Sequence, residues 1–237
     1  MIGSLLKLDN VNAFYGRAQI LFNVSMAVGR GEVVALMGRN GAGKSTTMKA
    51  IMGMLQGTRG GISFAGKEIR GMQPYQIARL GLGFVPEDRR IFSDLTVMEN
   101  LSVGRQPARP GQPEWSPESL FRLFPNLGTM PFRLGGHMSG GEQQMLTVAR
   151  TLMGNPSLVL LDEPSEGVAP LIVEQMANMI MGLKERGLSI LLSEQNIHFA
   201  ELVSDRAYVL EKGQIRYEGT IEELARDEEV RRAYLTV

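Results

Sequence analysis

The sequence predicts an α/β fold with an antiparallel β region at its N-terminal end and a helical insertion in its middle. Three observations predict it. VVALM at 33–37, SLVLLDEP at 157–164 and LSILLSEQ at 188–195 are short apolar runs of the length of buried strands. The first two are followed by segments whose apolar residues recur at helical spacing. Between about 90 and 155 no such strand occurs, and the chain turns proline-rich and then helical.

The first thirty-seven residues read as strands. LLKLDNVNAFYG and ILFNVSMAVGRGEVVALM alternate apolar residues between glycine turns, one of them GRGE at 29–32. STTMKAIMGML then places Met48, Ile51, Met52 and Leu55 on one helical face. GTRGGISFAGKEI reads as a hairpin, PYQIARLG as a helix with Pro74 at a tolerated early position, and LGFVPE as a strand ended by Pro86. QPARPGQPEWSPES, with four prolines in fourteen residues, reads as a loop, and GGEQQMLTVARTLMG as a helix.

After the strand SLVLLDEP comes a helix from Pro170 to Gly187, its apolar face Ile172, Met176, Met179, Ile180 and Leu183. LSILLSEQ is a further strand, RAYVLEKGQIRYEG a strand pair around Lys212-Gly213, and TIEELARDEEVRRAYL one terminal helix. A single domain is expected over 1–237, with its core at about 1–89 and 156–237 and the helical insertion at about 90–155.

With 25 basic and 25 acidic side chains the formal charge is zero, so nothing draws the chain to nucleic acid or to an anionic membrane. There is no cysteine, which removes disulfides and thiolate metal sites. The start, MIGSLLKLDNVN, has no basic lead, and a secretory signal is not expected. No run approaches the roughly 20 apolar residues of a spanning helix. Service to a membrane would therefore pass through partners. The fifteen methionines fall mostly at helical core spacing and read as core filler.

The chemistry begins at GRNGAGKST. Gly38, Gly43, Lys44 and Ser45 fit the spacing G-x-x-x-x-G-K-[ST] between a strand and a helix. Glycines let the backbone curl so that N–H groups point inward, and the helix start adds its dipole. Gly38, Asn40, Gly41, Gly43, Lys44, Ser45 and Thr46 are thus candidate contacts to a nucleotide such as ATP. Lys44 would neutralise the β- and γ-phosphates, and Ser45 would offer a hydroxyl to Mg²⁺. Asp162, at the carboxyl end of its strand, is the expected second holder of Mg²⁺. Glu163 is placed to polarise a water for attack on the γ-phosphate.

Ser139-Gly140-Gly141-Glu142-Gln143, in HMSGGEQQMLTVARTL, resembles the signature motif of ATP-binding cassette (ABC) proteins. The resemblance spans nearly the whole chain. It implies a P-loop NTPase core of the RecA-like kind. It also implies that Ser139, Gly140, Gly141 and Glu142 close over ATP held by an opposite subunit, so that the working unit is a homodimer or a heterodimer with a second such ATPase. Tyr15 matches the aromatic that stacks on adenine, and SEGVAP matches the loop linking the two sites. Two positions depart from the general pattern. Glu87 stands where the family carries glutamine, keeping an oxygen for the metal or its water. Gln195 stands where the family carries a histidine on the γ-phosphate; it can donate a hydrogen bond but holds no charge. His198, three residues on, reads as a surface helix residue.

GFVPEDRRIFSDLTVMENL, MSGGEQQML, DEPSEGVAP, SEQN and EEVRRAYL together resemble one branch, the ATP-binding subunits of bacterial branched-chain or hydrophobic amino-acid uptake systems. That resemblance implies two membrane permeases as partners, a periplasmic binding protein acting indirectly, and a cytoplasmic place on the inner face of the membrane. Arg89, Arg90 and Phe92 would meet a permease helix. Import of amides or urea, and a soluble cassette ATPase without a transport role, are the alternatives.

Overall fold

The computed structural model describes residues 3–109 and 114–235. In chain order the elements are β1 (Leu6–Tyr15), β2 (Ala18–Val28), β3 (Val33–Met37), α1 (Lys44–Ile51), β4 (Gly57–Phe64), β5 (Lys67–Glu68), α2 (Pro74–Leu80) and β6 (Leu82–Val85). Next come α3 (Val97–Gly104), α4 (Pro117–Leu123), α5 (Pro125–Gly128) and α6 (Gly140–Leu152). The chain closes with β7 (Leu158–Asp162), α7 (Pro170–Glu185), β8 (Ser189–Glu194), α8 (Ile197–Val203), β9 (Arg206–Glu211), β10 (Gln214–Thr220), α9 (Ile221–Arg226) and α10 (Glu228–Tyr234).

Two sheets result. One is antiparallel, in the order β2-β1-β4-β5. Its strands alternate as half-buried strands must: Leu6 and Leu8 point inward while Lys7 faces solvent. The β4–β5 turn has positive φ at both Ala65 (50°) and Gly66 (79°), the twist a two-residue hairpin requires. The second sheet runs β10-β9-β3-β8-β7-β6, parallel except for β10 at its edge. Every residue of β3, β7 and β8 is buried, which is why these strands read as unbroken apolar runs.

The central sheet separates two cores. Val34, Leu36, Leu160 and Leu191 pack toward the antiparallel sheet and toward Met48 and Ile51 of α1. Val33, Val159, Leu161, Ile190 and Leu192 pack toward α6 and α7 and the helices before them. Met48 and Ile51 are essentially fully covered, each burial worth about 1.5–3 kcal/mol. Between β6 and β7 the described residues form helices and no strand.

Three local expectations change. α1 stops at Ile51, and Gly53 turns the chain at φ 68°, so Leu55 leaves the helix, although it still packs on the core. The terminal segment is two helices, because Asp227 breaks the run and its carboxylate accepts the Val230 N–H at 2.9 Å to start α10. In the proline-rich stretch, 110–113 lie outside the described residues, and Pro117 opens α4 rather than continuing the loop. Met26, Met37, Met48, Met145, Met176 and Met179 are buried, in keeping with a filling role, whereas Met54 and Met181 are exposed. Among the described residues no helix is long and apolar enough to cross a membrane.

Candidate nucleotide site

Parallel register decides what meets at the carboxyl edge of the second sheet. Met37 lies opposite Glu194, and Asp162 opposite Ser193. The residues that follow β3, β7 and β8 therefore emerge together, where open α/β sheets hold ligands.

The loop from Gly38 to Gly43 leaves β3 and enters α1. Gly43 sits at φ 113°, and a Cβ there would lie 2.9 Å from Leu21 Cδ2. A Cβ at Gly38 would lie 2.4 Å from the Leu210 carbonyl oxygen. Only glycine fits at either position. No side chain caps the start of α1, so its first N–H groups stay available to an anion. Asn40 and Gly41 are exposed on the loop, and Thr46 is half-buried in the first turn of α1.

Lys44 is buried, at 3% exposure. Its ammonium donates to the carbonyls of Gly38 (2.6 Å) and Arg39 (3.1 Å) and pairs with Glu163 Oε1 at 3.0 Å. Ser45 Oγ donates to Asp162 Oδ1 at 3.1 Å. Ser193 Oγ donates to the same oxygen at 2.6 Å and accepts the Glu163 N–H at 3.0 Å. Glu163 itself is held at φ 46°, an uncommon conformation for a residue with a Cβ. The structure thus brings Lys44, Ser45, Asp162 and Glu163 into one hydrogen-bonded cluster.

Charges in the cluster follow from these contacts. Burial pushes the Asp162 carboxyl up, opposed by the hydrogen bonds from Ser193 and Ser45. Burial also acts to raise Glu163, but a hydrogen bond with Glu166 and the charge of Lys44 outweigh it and hold Glu163 below the usual range. Glu166 is pushed up to about 7 by its hydrogen bond with Glu163, by burial and by the charges of Glu163 and Glu87.

The other candidates are placed as follows. Tyr15 ends β1 and is 46% exposed. Glu87 is exposed just beyond β6. Gln195 is half-buried directly after β8. His198 sits on the surface of α8 against Glu201 at 3.5 Å, as its position suggested. Ser139 caps α6: its hydroxyl accepts the Glu142 N–H at 3.3 Å while Glu142 Oε2 accepts the Ser139 N–H at 2.7 Å. Gly140 and Gly141 form the first turn of α6, and a Cβ on Gly141 would lie 2.8 Å from Ile172 Cγ1 of α7.

Three contributors were missed from sequence. Ser193 ties Asp162 to Glu163, and Glu194, 1% exposed, accepts the N–H groups of Ser165, Gln195 and Asn196. Glu166 meets Glu163. The signal for the first two was the pairing of β7 with β8, which puts the polar end of LSILLSEQ beside Asp162.

A groove of about 600 Å³ lies on another face, lined by Met54, Tyr75, Phe84, Phe92, Val103 and Arg150. Arg150 donates to the Arg90 carbonyl at 2.7 Å and stacks over Phe92 at 5.0 Å. Arg89 and Arg90 both have positive φ, and Thr147 donates to the Arg89 carbonyl, so α6 holds this segment in place.

A parallel sheet flanked by helices, with a glycine loop, a buried lysine and a hydroxyl–carboxylate pair at its carboxyl edge, defines a nucleotide-binding α/β protein. Residues 21–166 match the ABC transporter family, and the chain belongs to it. It is accordingly an ATPase coupled to transport. The high-affinity branched-chain amino acid transport ATP-binding protein BraG of Pseudomonas aeruginosa is 43% identical over 98% of this chain and 99% of its own length. The lipopolysaccharide export system ATP-binding protein LptB of Haemophilus influenzae is 35% identical over 98% of this chain and 97% of its own. A crystal structure of a nucleotide-free ATP-binding cassette from an ABC transporter superposes with a TM-score of 0.81 at 29% identity, covering 96% of this chain and 97% of that one.

Proposed function

We propose that this chain powers uptake of branched-chain or other hydrophobic amino acids, binding ATP at the carboxyl edge of its parallel sheet. The observation that carries the chemistry is the Lys44–Glu163 contact beside the Ser45–Asp162 pair. The 43% identity to BraG supports the solute class.

On ATP binding Lys44 leaves Glu163 for the β- and γ-phosphates, which freely accept its N–H donors. The N–H groups of the glycine loop and of α1 receive the remaining phosphate oxygens. A hydroxyl and a carboxylate oxygen are the hard donors that suit Mg²⁺. Ser45 and Asp162 would hold that ion, with Glu87 offering an oxygen to it or to its water; when bound it would neutralise charge on the phosphates. Glu163 polarises the attacking water, and Gln195 donates a hydrogen bond to the γ-phosphate. Tyr15 stacks on adenine. Ser139–Glu142 of a second ATPase subunit completes the pocket.

The protein sits peripherally on the cytoplasmic face of the membrane, as one domain with a helical insertion at about 90–155. Two permease subunits are its partners, one of them seating a helix in the groove beside Arg90 and Phe92. A periplasmic binding protein acts through those permeases. The likeness to LptB supports a second reading, an ATPase serving export of a lipid; the permeases that co-purify separate the two.

Glu163→Gln is the direct test. ATP binding should persist while turnover falls by about 10²–10⁴, the usual contribution of a general base. Turnover near the parent rate would remove Glu163 from that role.

A further inference from the structure

Glu194 ends β8, is 1% exposed, and has no part in the chemistry above. Burying a carboxylate is unfavourable unless donors fill its oxygens, and here both are filled. Oε1 accepts the Ser165 hydroxyl at 2.5 Å and the Ser165 N–H at 3.3 Å. Oε2 accepts the N–H groups of Gln195 at 3.1 Å and Asn196 at 3.2 Å. The two oxygens thus hold two different segments. One is the turn after β7, closed where the Glu166 N–H donates to the Glu163 carbonyl at 3.1 Å. The other is the turn after β8, which Asn196 seals on its far side by accepting the Phe199 N–H at 3.2 Å and so capping α8. The backbone of Glu194 joins a third segment: its carbonyl accepts the Gly38 N–H at 3.2 Å, at the start of the glycine loop.

Packing alone does not call for a carboxylate here. Ile190, Leu191 and Leu192 fill the same strand at equal burial with apolar side chains. What the carboxylate adds is two acceptors on one rigid group, one for each turn. The Gln195 side chain bonds to no described residue, so its direction is set by the backbone that carries it. We propose that Glu194 is a positioning residue: it fixes the turn bearing Gln195 against the turn bearing Glu163, so that the Gln195 amide is aimed before nucleotide arrives. No covalent bond changes and no proton moves. The proposal rests on the reading of Gln195 as a hydrogen-bond donor to the γ-phosphate.

Glu194→Gln keeps the shape but offers one oxygen where two accepted, and it turns an N–H toward a donor, so one turn is released. Steady-state hydrolysis by the full chain in its transporter should show kcat lowered about tenfold, the worth of one hydrogen bond to a charged group. KM for ATP should be unchanged, because the glycine loop keeps its bond to the Glu194 carbonyl. Gln195→Ala should lose a similar factor, and adding Glu194→Gln to it should remove nothing further. A residue that served the fold alone would lower the rate by the same factor in either background. Ser165→Ala removes one bond to Oε1 and leaves the Ser165 N–H in place, so it should cost about threefold in kcat, again only while Gln195 is present. It carries the test on its own if Glu194→Gln does not fold.

Parental kcat in Glu194→Gln, or in Ser165→Ala where that variant stands alone, overturns the proposal. So does a loss that persists in full in the Gln195→Ala background. A raised KM at constant kcat overturns it as well, by placing the effect at the glycine loop. Gln195→Ala at the parental rate sinks the reading beneath it. A slow Gln195→Ala beside an unaffected Glu194→Gln sinks only the proposal.

Discussion

At the ends of β7 and β8 the charged groups answer one another inside the chain: Lys44 with Glu163, Asp162 with Ser45 and Ser193, Glu194 with three backbone N–H groups. At the start of α6 the arrangement is reversed. Ser139 is exposed, Gly140 and Gly141 are half-buried beneath Arg89 and Ile172, and the capping pair with Glu142 satisfies only its own turn. Both regions have the backbone of an anion site. One is assembled and buried before any ligand arrives; the other, on the proposed reading, is a half that a second subunit completes. The contrast supports the proposal that a second subunit finishes the pocket.

Lys44→Ala strikes the assembled region hardest. It removes the ammonium that the phosphates would receive and strands Glu163 in a buried place. ATP affinity, read by equilibrium titration, should fall about tenfold to a hundredfold, matching the worth of charged hydrogen bonds. Unchanged affinity would mean that the lysine serves only the internal pair.

Gly141→Ala probes the open half. The added methyl would press on Ile172 at 2.8 Å, shifting α6 against α7 at about 1–3 kcal/mol. Turnover should drop while nucleotide binding by the isolated subunit holds. A loss of binding equal to that of Lys44→Ala would erase the distinction between the regions.

Ser193→Ala is the mildest change. Asp162 keeps its contact with Ser45 but loses the 2.6 Å bond from Ser193. Urea unfolding should show about 1 kcal/mol less stability, near the lower range for a bond to a charged group because one partner remains. Stability equal to the parent would show that the three-residue tie between β7 and β8 carries no load.

The reach of sequence reasoning follows the same line. The glycine loop, Lys44, Ser45, Asp162 and Glu163 were legible because each motif lies within a few consecutive residues and its chemistry is local. Ser193 and Glu194 were not, since they reach the site only through the pairing of strands thirty-one residues apart. The Lys44–Glu163 contact spans a still longer stretch of chain and depends on sheet order. Unbroken apolar runs identified β3, β7 and β8, because strands covered on both faces carry no polar alternation to misread. Helix ends were harder. Apolar spacing continued through Gly53 and Asp227, where backbone conformation and a side-chain cap, not hydrophobicity, stop the helix.

Completion of the pocket by a second subunit is the central claim. Sedimentation of the Glu163→Gln protein with Mg²⁺ and ATP, alone and with the companion ATPase of its transporter, tests it most directly. The account predicts a nucleotide-dependent pair that Gly141→Ala weakens. Monomers that bind ATP in every mixture would contradict it.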